Sequence, residues 1–134
     1  MSASMLKRVA VAASSALVLI GSTALSRADI KDYEFQLVNK DIKKGEAILS
    51  VRLVHKPDGK AVPDAVIFAT RLDMAPEGMQ EMTTKVTPAP SAEPGIYQFK
   101  ADVSMAGSWQ LSLGAKVQGE TGTVESKLVL EAAP

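Results

Sequence analysis

The chain has 134 residues, 46% of them hydrophobic and 4% aromatic, with no Cys and 15 basic side chains against 15 acidic. That length suits one domain, and the missing thiols exclude disulfide scaffolds, Cys-based zinc sites, iron–sulfur clusters and thiol catalysis. The balance hides a division: only Lys7, Arg8 and Arg27 precede residue 29, so the rest carries 12 basic and 15 acidic residues without a basic run, which excludes a polyanion-binding surface.

Residues 1–8 are short and end in Lys7 and Arg8, a positive leader start. Residues 9–25 are apolar and small around Leu17-Val18-Leu19-Ile20, and Ser26-Arg27-Ala28 puts small residues at the −3 and −1 positions of a signal-peptidase site. The three parts predict a signal peptide over residues 1–28, cleaved after Ala28 to leave a single domain of 106 residues, 29–134. The alternative is an uncleaved N-terminal membrane anchor, which wants about 20 strongly apolar residues. Here the apolar stretch is shorter and interrupted by Ser14, Ser15, Gly21 and Ser22. No later stretch is long and apolar enough to span a bilayer. The expected location is therefore periplasmic or secreted.

From Asp29 onward the chain reads as strands. Residues 33–38 alternate, with Tyr33, Phe35 and Leu37 on one face; residues 39–45 form a polar turn. Residues 47–54 set Ala47, Leu49, Val51 and Leu53 against Ile48, Ser50, Arg52 and Val54. Lys56-Pro57-Asp58-Gly59 is a strong turn signal, because Pro presets φ and Gly accepts positive φ. Residues 65–72 are a β-branched and aromatic run, and 83–87 a short polar strand. Pro88, Pro90 and Pro94 cannot join a central ladder, so residues 88–95 read as an exposed, stiff connection. Residues 96–103 alternate again, and 109–117 and 123–130 form a last pair around residues 118–122, before a frayed tail at 131–134. Seven short strands, Gly/Pro turns and no helical stripe predict an all-β, immunoglobulin-like antiparallel β-sandwich of about seven strands, with a small Greek-key barrel as runner-up. Phe35, Leu49, Val51, Phe99, Trp109, Leu111 and Leu128 are expected in or near its core.

Little in this chain supports catalysis. His55 is the one histidine, so no His–His metal pair exists, and it sits where a strand meets a turn, a usual place for a solvated imidazole. Asp73, Glu77 and Glu81 are the one local acidic group, without the pocket that sets paired carboxylates apart. No Gly-rich phosphate loop follows a strand and opens a helix. The protein reads as a non-enzyme.

The methionines carry more information. Met74, Met79 and Met82 crowd into residues 73–82, a polar loop, and Met105 stands four residues before Trp109. A thioether is a soft, neutral ligand suited to Cu(I) and Ag(I). Two or three on one loop, with Met105 from another, would make a soft-metal site with Cu(I) as its ion. The competing reading makes them flexible packing that plugs one end of the sandwich. Trp109 shares a face with Leu111 and Leu113, so it is either a central core residue or a ring capping the ion by a cation–π contact. Gly107 permits a tight turn before that strand, and Tyr97 is a core or corner residue.

Three segments in order, Leu72-Asp73-Met74 with Gly78-Met79 and Met82, then Pro94-Gly95-Ile96-Tyr97, then Met105-Ala106-Gly107-Ser108-Trp109, resemble the YtkA-like/FixH-like domain family over about residues 32–130. The resemblance implies an exported or membrane-anchored β-sandwich domain. It implies a link to copper handling, with periplasmic heavy-metal efflux pumps or oxidase-assembly proteins as partners. It maps the family's Met-rich loop onto Met74, Met79 and Met82, and its Met-x-Gly-x-Trp onto Met105, Gly107 and Trp109. Two departures stand out: the loop is less dense in Met than in clear metal binders, and Glu77 and Glu81 replace softer residues. Two function classes follow: a soft-metal binder or copper chaperone, and a structural or interaction module whose exposed strand edges pair with a partner.

Overall fold

The computed structural model describes residues 30–134; the expected signal peptide and its cleavage point lie outside the described residues. Among the described residues ten strands follow a 3-10 turn at Ile30–Asp32: β1 (Tyr33–Leu37), β2 (Asp41–Lys43), β3 (Gly45–His55), β4 (Lys60–Ala61), β5 (Val66–Met74), β6 (Met79–Thr84), β7 (Val86–Ala89), β8 (Ile96–Val103), β9 (Gly107–Lys116) and β10 (Val124–Ala133). One sheet runs β1-β3-β8-β7 with β4 also on β3, and the other runs β2-β10-β9-β5-β6. Neighbours are antiparallel except β2, which lies parallel to the end of β10. Two separate sheets with free edges make this an immunoglobulin-like sandwich rather than a closed barrel.

Period-2 alternation sets which side chains meet between the sheets. Leu49, Val51 and Leu53 of β3 and Trp109 and Leu111 of β9 are all 0% exposed, and Phe35 and Phe99 are buried with them. Leu128 packs on this cluster half-buried, so all seven expected core residues lie in or beside it. Each such large apolar side chain contributes about 1.5–3 kcal/mol through burial.

Five local expectations are corrected. The polar run 83–87 is not one strand: it breaks at Lys85, with β6 joining β5 in one sheet and β7 joining β8 in the other. A polar run carries no alternation to mark such a change of sheet. The turn expected at 39–45 contains β2, and the tail expected to fray continues β10 to Ala133. The two segments hold each other, since Glu131 N–H donates to the Lys40 carbonyl at 2.9 Å and Lys44 N–H to the Ala133 carbonyl at 2.8 Å. Buried Ile42 and Ala132 close the core there. Pro88 is inside β7 opposite Phe99, a place an edge strand permits. Finally, residues 73–82 are not a loop but a hairpin: the end of β5, a 3-10 turn at Ala75–Glu77, and β6.

Candidate functional site

The hairpin is built tightly. Gly78 adopts φ 76°, the left-handed conformation glycine takes without strain, and its N–H closes on the Ala75 carbonyl. Asp73, 4% exposed, accepts from Ala75 N–H at 2.9 Å and from Arg71 Nε at 2.7 Å. The same guanidinium donates through Nη2 to the Gln80 carbonyl at 2.8 Å, so one Arg–Asp pair braces both strands. Of the local acidic group, then, Asp73 is a brace.

Met74 ends β5 and stands in register with Met79, which opens β6. Met74 is 1% exposed and belongs to the core, whereas Met79 and Met82 are half-buried against it. Met105 precedes β9 and is 39% exposed. The β8–β9 turn lies against the hairpin. Glu77 Oε2 accepts Ser108 N–H at 2.9 Å, and a Cβ built on Gly107 would stand 3.0 Å from Met74 Cε and 3.1 Å from Glu77 Oε2. Trp109 is fully buried in the core, with Nε1 donating to the Met105 carbonyl at 3.0 Å. One end of the sandwich thus carries both methionine-bearing segments. Among the described residues, no group of three or more His, Cys, Asp or Glu side chains could hold a metal ion. The Asp73 and Glu77 carboxylates at this end are engaged by Arg71, Ala75 N–H and Ser108 N–H, and the other donors there are thioethers, ligands that suit a soft ion.

His55 is less solvated than a turn-flanking imidazole suggests, with a side chain 24% exposed and its ring 5.0 Å from that of Tyr33. Its Nδ1 lies 3.1 Å from Asp58 Oδ1. The Lys60 N–H first, and then His55, hold the Asp58 carboxyl below its ordinary range. At the other end, Tyr97 donates to the Val62 carbonyl at 2.6 Å and accepts Ala65 N–H at 3.0 Å. Burial raises its hydroxyl pKa. Sequence reading missed the Asp73 brace, although an Asp two residues before an Ala-Pro turn is an Asx-turn signal.

The sequence profile described as YtkA-like matches residues 27–114, and the chain belongs to that family. The match takes in the hairpin, Pro94-Gly95 and most of β9, and ends before β10. It is to the YtkA-like description alone, without a FixH-like part. No curated protein matches the chain. Solved structures of similar shape include one titled "Crystal structure of the Lin-41 filamin domain", at 19% identity and TM-score 0.45, covering 79% of this chain and 94% of that one. Another is the "ZirS C-terminal Domain", at 14% identity and TM-score 0.45, covering 98% of this chain and 87% of that one. Among the described residues, no helix is long and apolar enough to cross a membrane.

Proposed function

We propose that this YtkA-like domain is an exported, non-enzymatic binder of Cu(I), held by thioethers of the hairpin and the β8–β9 turn, and that it serves a periplasmic efflux-pump or oxidase-assembly partner. The observation that carries the reading is the meeting of the two turns. Glu77 bonds Ser108 across them, which puts Met105 on the same end as Met74, Met79 and Met82. Half-buried Met79 and Met82 and exposed Met105 retain access for an ion. Neutral thioethers would make affinity nearly independent of pH between about 5 and 8, whereas a His site weakens as imidazole protonates near pH 6.5. Trp109, being core, acts here through its bond to the Met105 carbonyl.

The competing reading is a structural module in which these methionines only pack, and Met74 at 1% exposure supports it. Cu(I) titration of the purified protein under reducing conditions separates the two. Replacing Met79 and Met82 with Leu keeps volume and apolarity at a cost under about 1.5 kcal/mol. The double variant stays folded and loses Cu(I). Equal binding by variant and parent removes the hairpin as the site, and a parent that binds none leaves the structural module.

A further inference from the structure

The first six residues of β5 have a neighbour on one side only. Val66, Ile67 and Ala69 to Arg71 pair with β9, with a bulge at Phe68, but β6 joins β5 no earlier than Leu72, where Thr84 stands opposite. Beyond Thr84 the chain crosses at Lys85 to the other sheet. Their backbone groups on that side meet no other backbone among the described residues. Beside this edge runs a groove of about 740 Å³, walled by Ile67 to Thr70 of β5 on one side and by Pro88 and Ala89 of β7 on the other, with Tyr97 and Phe99 beneath. Phe68, in the groove wall, is 55% exposed, and Val66 at the start of the strand is 60% exposed.

We infer that this edge receives an extended segment of a partner protein as an added strand, in line with β6 and end to end with it. Three observations select that occupant. Unpaired strand backbone calls for donors and acceptors at strand spacing, which an extended peptide supplies. The facing edge is blunted by Pro88 and Pro90, so β5 is the strand the peptide joins. Glu93 is the one ionised side chain in the groove wall, so the matching segment alternates apolar residues and carries a single Lys or Arg at the Glu93 end. The groove is also preformed. The Tyr97 hydroxyl fixes the chain entering β5 through Val62 and Ala65. Gly95 packs against Ala61 so closely that any Cβ would overlap it. A rigid receptor loses little freedom on binding. This reading is independent of the metal, which belongs to the other end of β5.

Selection of seven-residue random peptides on the immobilised full protein tests it. The expected winners alternate apolar residues, carry one basic residue, and protect the amides of residues 66–71 from hydrogen exchange when bound. Ala69→Lys, which places a charge on the edge, weakens them about tenfold or more. Glu93→Gln weakens those with a basic residue more than neutral relatives. Trp109 fluorescence checks that both variants are folded. The inference is overturned if no peptide is enriched over a blank surface, or if enriched peptides bind Ala69→Lys as tightly as the parent.

Discussion

Gly107 is the position where the joined turns can be weighed. Its φ of 134° lies in the region L side chains rarely adopt, so Gly107→Ala costs about 1–3 kcal/mol in backbone strain alone. The new Cβ would also stand 3.0 Å from Met74 Cε and 3.1 Å from Glu77 Oε2. The methyl, at the end of a flexible chain, can give way cheaply. The carboxylate must give by a few tenths of an ångström, which strains its bond to Ser108 N–H, a charged hydrogen bond worth at most about 1.5–3 kcal/mol and less at this exposed position. Gly45 is the control: its φ is 115°, and a Cβ there meets nothing within 4 Å. Equilibrium urea unfolding, followed by the single Trp, should therefore show Gly107→Ala exceeding Gly45→Ala by about 1–2 kcal/mol. The excess should shrink in a Glu77→Ala background, since both changes act on one bond. Equal losses at the two glycines, or an excess indifferent to Glu77, would refute the claim that Glu77 ties the turns together.

Trp109→Ala removes a ring that is 0% exposed and leaves a cavity, costing about 3–5 kcal/mol by urea unfolding read from circular dichroism. Tyr97→Phe strips the hydroxyl from the Val62 carbonyl and Ala65 N–H and costs about 1–3 kcal/mol. Because burial raises the Tyr97 pKa, its neutral form favours the fold. That stability is complete below the ordinary value of 10.0 and is lost as pH rises through the folded value, so the Phe variant should lose less stability at alkaline pH than the parent in a pH series of unfolding curves, Tyr33 titrating in both.

Where a segment alternates, the sequence and the fold agree. Leu49, Val51 and Leu53 face inward because every second residue of β3 is apolar, and Trp109, Leu111 and Leu113 do so on β9. Where a segment is polar, alternation is silent, and the change of sheet at Lys85 has no local mark. Met74 misleads for another reason. It continues the inward alternation of Leu72 by one more step, but Asp73 and Pro76 make its surroundings look like a loop. Asp73 is affordable in the interior only because Arg71 and Ala75 N–H satisfy both oxygens. The groove beside β5 was illegible because it depends on where β6 stops, a property of pairing and not of either strand's composition.

The two proposed sites share β5 and should nevertheless act separately. From Val66 to Met74 the strand rises roughly 25 Å at its ordinary spacing per residue. Its ladder with β9 runs from Val66 to Asp73 with a single irregularity, between Ile67 and Ala69. Changes farther apart than about 7–10 Å that share no partner add without coupling. Ala69 and Thr70 line the groove, whereas Met79 and Met82 lie on β6, past the point where β6 begins to pair. Ala69→Lys should therefore leave the stoichiometry and affinity for Cu(I) unchanged. Replacing Met79 and Met82 with Leu should leave the affinity of a groove peptide within about twofold. Cu(I) titration of the first variant and fluorescence anisotropy of a labelled peptide with the second measure the two terms. A tenfold change in either would mean that β5 transmits between its ends, with the irregularity around Phe68 as the segment able to shift, because there the β9 ladder is already out of register.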